Sequence, residues 1–280
     1  METAKNALGF FSPKEIVAQY AKAGVSKCAR KTGSLLLLAV LAGLFIAMGC
    51  AVTNTASFGI ENVGLARTVS GLLFPFGLCM VVVTGAELFT GNSLLVITLL
   101  DRKCSSAALL RNWGLVYLGN FVGAAVLAAG CVYCGQLNYG SGALAVHTIK
   151  LAVSKCSLDF FPALGLGFFC NLLVCMGVLM AMSAKDAAGR LMGAFIPVSY
   201  FIICGFEHCV ANMYYITAGM LAAGVPEYAA LARDAGLDLS ALTAGNFLLG
   251  NLLPVTLGNI LGGGGLGLVM WLCHGENERF

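Results

Sequence analysis

Thr84-Gly85-Ala86-Glu87-Leu88-Phe89-Thr90-Gly91-Asn92 and Cys204-Gly205-Phe206-Glu207-His208-Cys209-Val210-Ala211-Asn212 share a Gly-x-Glu-x-x-x-x-Asn frame. Each interrupts an otherwise apolar segment, so the chain reads as two related halves. Leu118-Gly119-Asn120-Phe121-Val122-Gly123 then recurs as Leu257-Gly258-Asn259-Ile260-Leu261-Gly262, which gives both halves the same order of features. Paired broken helices in repeated halves mark a transport pathway.

The surroundings of these stretches set the class. Hydrophobic residues make up 59% of the chain and charged ones 10%, with a mean hydropathy of +0.88, which excludes an ordinary soluble domain. Six apolar segments run over roughly 33–54, 66–100, 106–135, 158–183, 189–224 and 243–273, each long enough for the ~20 residues of a bilayer span. The second and fifth are too long for one helix and contain the two frames. Each is therefore expected to be two half-helices joined by irregular backbone, which a membrane tolerates only around a protein-lined cavity. The expected fold is all-α: a single membrane domain over 1–280, with one repeat at about 33–135 and the other at about 158–273.

Basic residues fix the orientation. Lys5, Lys14, Lys22, Lys27, Arg30 and Lys31 precede the first segment, and Arg102, Lys103, Lys185, Arg190 and Arg279 fall in alternate connections or at the tail. That side is expected to be cytoplasmic, with both termini inside the cell membrane. The other side holds Lys150, Lys155 and Arg233. Three spans per half is an odd number, so the repeats must be inverted, which puts the site near the midplane. Residues 1–31 have no apolar core of the secretory kind. Ser12-Pro13-Lys14-Glu15 is a helix start with a capping box, followed by an apolar stripe of Ile16, Val17, Tyr20 and Ala21. A plain surface helix and a regulatory one stay equally open.

Several other patterns carry less. The net charge of +3 comes without a long basic run, so no nucleic-acid partner is expected. Most of the twelve cysteines scatter through spans as small apolar residues. Cys131-Val132-Tyr133-Cys134 lacks the second pair of a zinc site, although an oxidised pair involving Cys156 stays open. Gly262-Gly263-Gly264-Gly265 has neither the strand-loop-helix context nor the Lys-Ser/Thr ending of a phosphate loop. Gly119 with Gly123, and Gly258 with Gly262, are small-residue faces for close helix packing.

Charged groups inside apolar segments are costly and usually line a pathway; here they are Glu87, Glu207 and His208. Glu87 and Glu207 are equivalent in the repeat, which suits structural work at the helix breaks, namely hydrogen bonds to free backbone N–H groups. His208 has Leu88 as its counterpart. The halves differ where chemistry is needed, so a pore role is favoured for His208.

From Phe11 to about Trp271 the chain resembles the formate/nitrite transporter family. The resemblance rests on Gly85-Ala86-Glu87-Leu88-Phe89-Thr90, Asn171-Leu172-Leu173-Val174-Cys175, Gly205-Phe206-Glu207-His208-Cys209-Val210-Ala211-Asn212-Met213 and both Leu-Gly-Asn-x-x-Gly segments, in order. It implies an aquaporin-like fold assembled as a homopentamer with one pore per protomer. By the same resemblance Leu88, Phe89 and Thr90 form the loop that breaks the second helix, and Thr90 lies near His208 at the pore centre. Asn171 and Asn212 face that histidine. Phe74, Leu78, Leu88, Phe89, Val174 and Phe201 supply the hydrophobic constrictions, and Lys155 draws small anions into a vestibule. The implied cargo is a small monovalent weak-acid anion: hydrosulfide, formate or nitrite, with general likeness favouring the hydrosulfide branch. No cofactor, metal or catalytic residue is implied.

A bare anion crosses rings of Phe and Leu poorly, because losing hydration without replacement is very unfavourable. Either a proton shared through His208 lets the neutral acid cross, or a cationic His208 attracts the anion; the sequence leaves both open. Two other classes stay open as well. A membrane metal or redox enzyme would use Cys204, Glu207, His208 and Cys209, but adjacent helical positions face different ways. A neutral-solute facilitator would fit the architecture, but paired Asn-Pro-Ala signals are missing.

Overall fold

The structure, a computed structural model, describes residues 9–275. Lys5 and Arg279, counted above on the basic side, lie outside the described residues.

Ser12 caps the first helix, α1 (Pro13–Ala29), through the expected capping box: its hydroxyl accepts from Glu15 N, and the Glu15 carboxylate takes Ser12 N. Three spans follow in the first half. They are α2 (Thr32–Ser57), a broken span made of α3 (Val63–Leu73), α4 (Phe76–Thr84), α5 (Phe89–Asn92) and α6 (Leu95–Leu100), and α7 (Ser106–Tyr133). The second half opens with α8 (Ala143–Cys156) and continues through α9 (Phe160–Ser183), the broken pair α10 (Ala187–Cys204) and α11 (Cys209–Ala223), the short α12 (Pro226–Asp234) and α13 (Leu253–His274). A π-helical stretch, Asn246–Leu252, leads into α13. Among the described residues six helical stretches are long and apolar enough to cross a membrane, with Val63–Thr84 and Asn246–His274 each taken as one, and they match the six segments read from the sequence.

The two small-residue faces bring helices together in equivalent pairs. Gly119 and Gly123 of α7 lie against Leu36 O and Val40 O of α2, while Gly258 and Gly262 of α13 lie against Leu164 O and Phe168 O of α9. A side chain at any of these glycines meets backbone that cannot swing away. The Gly262–Gly265 run is thus a helix-packing surface, with Gly263 against Asn171.

The helix breaks fall at equivalent places. Gly85 (φ 65°) and Gly205 (φ 74°) end α4 and α10 in the left-handed region, where a Cβ is disfavoured. Backbone at 86–88 and 206–208 then runs irregularly to the N-termini of α5 and α11. The first break is therefore Gly85–Leu88, one turn earlier than the expected Leu88–Thr90 loop. Phe89 and Thr90 already belong to the first turn of α5, because Asn92 N returns to Leu88 O at 2.9 Å.

α1 is not a loose surface helix. Ile16, Val17, Tyr20 and Ala21 are all buried, in a cluster with Leu94, Leu95, Ile97 and Leu179. The Tyr20 hydroxyl donates to Gly91 O at 3.1 Å.

Candidate functional site

An asparagine from the following span ties down each break. Asn120 accepts from Phe89 N at 2.9 Å and donates to Ala39 O and Glu87 O at 2.7 and 2.9 Å. Asn259 repeats this with Cys209 N at 2.9 Å, Gly167 O at 2.8 Å and Glu207 O at 3.0 Å. The backbone N–H of each glutamate is satisfied too, by Leu38 O for Glu87 and Leu166 O for Glu207. Buried loop backbone must find such partners; here one asparagine per repeat and one carbonyl of a neighbouring span supply them.

The carboxylates do different work from that expected. Neither accepts a described backbone N–H. Glu87 takes Lys27 Nζ at 2.8 Å and Asn92 Nδ2 at 2.7 Å, with Arg30 Nε at 3.6 Å. Glu207 takes Lys155 Nζ at 2.8 and 2.9 Å and Asn212 Nδ2 at 2.6 Å. A second asparagine completes each cluster: Asn112 accepts from Asn92 and donates to Lys27 O, and Asn251 accepts from Asn212 and donates to Lys155 O. Lys27 on α1 is thus the counterpart of Lys155 on α8. The two-fold relation extends beyond the spans to the helices α1 and α8 that come before the first span of each half.

These clusters stand at the edges of two cavities of about 400 Å³ each. One is lined by Lys27, Arg30, Glu87, Leu78 and Leu88. The other is lined by Lys155, Glu207, Asn212, Phe201 and His208.

His208, 3% exposed, lies in the wall of the Glu207 cavity. Its Nε2 lies 2.9 Å from Thr90 Oγ1, and its Nδ1 accepts from Ala211 N at 3.1 Å as the N-cap of α11. A backbone N–H only donates, so Nδ1 carries a lone pair and Nε2 carries the proton of the neutral ring. Nε2 donates to the Thr90 oxygen, which leaves the Thr90 hydroxyl hydrogen free to donate elsewhere. The Phe201 ring stacks on the imidazole at 5.8 Å and meets Phe74 edge-on at 5.6 Å.

The other expected residues divide. Asn171 donates to Thr90 O, Ser93 Oγ and Asn259 O, and Asn212 to Glu207 and Asn251; neither hydrogen-bonds His208. Asn171 thereby holds α5 against α13. Phe89 packs its ring on Trp113 and Tyr117 of α7, at 6.2 and 4.9 Å, and lines neither cavity, because the first turn of α5 aims it away from Thr90. Val174 is buried. Lys155 is in the last turn of α8.

Residues 14–273, nearly the whole described chain, match the formate/nitrite transporter family. The chain belongs to this family. Among relatives, the formate channel FocA of Escherichia coli strain K12 is 33% identical over 282 residues, covering 99% of each chain. FocA of Haemophilus influenzae is 36% identical over 230 residues, which is 81% of this chain and 78% of that one. A solved structure described as a pentameric formate channel with formate bound has a TM-score of 0.78 at 32% identity, covering 87% of this chain and 97% of that one. An FNT family ion channel reaches the same TM-score at 23% identity, a likeness of fold. The formate/nitrite transporter family is one of membrane channels, not of enzymes.

Within this family member, sequence reasoning missed Lys27, Asn92, Asn112, Asn120, Asn251 and Asn259 as working residues. A signal was present, since Asn120 and Asn259 occupy the same place in the repeated Leu-Gly-Asn-x-x-Gly segment. The sequence reading takes that segment as a mark of the repeat, as part of the family pattern and as a glycine packing face, and gives the asparagine itself no role.

Proposed function

We propose that the chain conducts small monovalent anions of weak acids, formate among them, with nitrite and hydrosulfide sharing the needed chemistry. The observation that carries this reading is the Thr90–His208 contact of 2.9 Å, buried behind the Phe74–Phe201 pair and placed where the two helix breaks meet. The Thr90 hydroxyl, oriented by Nε2–H, offers a hydrogen bond to whatever passes. An anion gains partial charge compensation there, and a weak acid carrying its own proton crosses the aromatic pair uncharged. Formate transport is further supported by the names of the FocA relatives.

The assembly is proposed as a homopentamer, in keeping with the pentameric relative, and the basic connections orient both termini to the cytoplasm of a cell membrane. Exposed Leu37, Val52, Leu118, Val126 and Leu261 suit contact with lipid or a neighbouring subunit.

Uptake into proteoliposomes of formate, nitrite, hydrosulfide and chloride tests the reading. Weak-acid anions are expected to exceed chloride at least ~10-fold, about 1.4 kcal/mol of discrimination. Thr90→Val removes the donor and is expected to reduce weak-acid flux. Chloride permeating as well as formate contradicts the proposal.

A further inference from the structure

Tyr20, Gly24 and Cys28 follow one another at one-turn spacing and so share a face of α1. Their partners come in the same order along the chain. The Tyr20 hydroxyl donates to Gly91 O, Gly24 crosses α6 so closely that a Cβ there would meet the Thr98 side chain, and the Cys28 thiol meets the Cys104 thiol. Cys104 is brought there by the connection from α6 to α7. In it Arg102 takes a left-handed φ of 58°, and Arg102 N and Lys103 N return to Leu99 O and Thr98 O at 2.9 and 3.0 Å.

This meeting of two thiols differs from the contacts of cysteines that only fill the core. Cys50, Cys79 and Cys175 donate to the backbone carbonyls of Ala211, Leu191 and Thr90 at 3.9, 3.6 and 3.4 Å. Cys28 and Cys104 instead face each other from two elements, and they are unequally reachable. Cys28 is buried in a cluster with Tyr20, Leu94 and Ile97, whereas Cys104 is half-buried at the edge of that cluster. Burial, followed by the neighbouring Cys104, pushes the Cys28 thiol up to about 12. It therefore stays protonated and does not start an attack, since the thiolate is the nucleophile. Both residues lie outside the spanning helices, Cys28 in α1 and Cys104 ahead of α7, on the side that the basic connections assign to the cytoplasm. Thiols there are kept reduced, and a disulfide that forms is a transient, redox-sensing one.

We propose that Cys28 and Cys104 form a reversible oxidation site for a peroxide, whose disulfide ties α1 to the connection between α6 and α7. Cys104, the reachable thiol, attacks a peroxide oxygen as its thiolate; the O–O bond breaks, Cys104 becomes a sulfenic acid, and with hydrogen peroxide the leaving hydroxide takes up the proton the thiol gave off and departs as water. Cys28 Sγ then bonds to Cys104 Sγ, the S–OH bond breaks, and the Cys28 proton leaves with the hydroxyl as a second water. Two thiols have lost two electrons and two protons, and one hydrogen peroxide has become two waters. Exchange with a cytoplasmic dithiol reverses the step. The tether falls one residue after Lys27, which lines the Glu87 cavity with Tyr20 and Arg30, so oxidation pins the part of α1 that forms this wall. The cellular setting rests on the orientation proposed above; the chemistry does not.

The test is peptide mapping by mass spectrometry of the full-length protein, treated with hydrogen peroxide and then blocked at its free thiols, together with its thermal midpoint. The expected result is a linked Cys28–Cys104 peptide from protein that runs as a single chain on a non-reducing gel, reversed by dithiothreitol. The midpoint is expected to rise by about 5 °C, because a link closing so long a loop restrains the unfolded chain. Cys104→Ser is expected to remove both effects while leaving the reduced protein within about 2 °C of wild type. Absence of the linked peptide in the wild type, with Cys104 either unchanged or carried on to sulfinic acid, overturns the proposal, and this map needs no variant. The same rise in midpoint in peroxide-treated Cys104→Ser also overturns it. Neither readout involves flux, so failure of the channel reading leaves the result standing.

Discussion

Asn259→Leu is expected to destabilise the folded protein by about 2–6 kcal/mol, because Glu207 O and Cys209 N each lose a buried partner worth about 1–3 kcal/mol. Leucine matches asparagine in shape, so the loss is one of hydrogen bonding and not of packing. Asn259 is fully buried. The repeat sharpens the expectation: Asn120→Leu strips Glu87 O and Phe89 N in the same manner, so the two variants should fall by similar amounts. Heating the detergent-solubilised protein and following the monodisperse peak by size exclusion measures both. A loss below about 1 kcal/mol for either contradicts the role assigned to these asparagines.

Glu207→Leu comes next in size. It leaves Lys155 Nζ without its carboxylate and Asn212 Nδ2 with Asn251 alone. Breaking a buried pair from one side costs about 3–5 kcal/mol. Because the Lys155 side chain keeps 16% exposure and reaches a cavity, about 2–4 kcal/mol is expected after solvent screening. Lys155→Met in the same chain removes the stranded charge and is expected to restore at least half the loss. Thermal stability of the two single variants and the double variant gives the coupling directly. Strict additivity contradicts the pairing.

Much of this architecture was legible in the sequence, for reasons that differ by element. The six spans follow from composition and length. The breaks follow from the excess length of two segments and from glutamates that have no place in a continuous apolar helix. The Ser12 capping box is a local pattern, readable from four consecutive residues.

What was not legible depends on distance along the chain. Glu87 meets a lysine 60 residues earlier, and Glu207 one 52 residues earlier, so Lys27 looked like one more member of a basic run that sets orientation. The amphipathic stripe of α1 gave the helix its apolar face but not its partner, which proved to be protein. Phe89 was placed in the break with Leu88 and Thr90, yet one turn of α5 directs it to Trp113. A register difference of that size is invisible without coordinates. The neutral tautomer of His208 likewise depends on Ala211 N and Thr90 Oγ1 converging on one ring, the second from 118 residues away.

Formate influx into proteoliposomes at two pH values, wild type against His208→Asn, is the measurement that bears most directly on the account. The account predicts wild-type flux that depends on pH and a His208→Asn profile that is altered in slope or in selectivity, because the group that orients Thr90 is gone. Identical pH profiles and identical anion ranking in the two proteins contradict a working role for the Thr90–His208 centre.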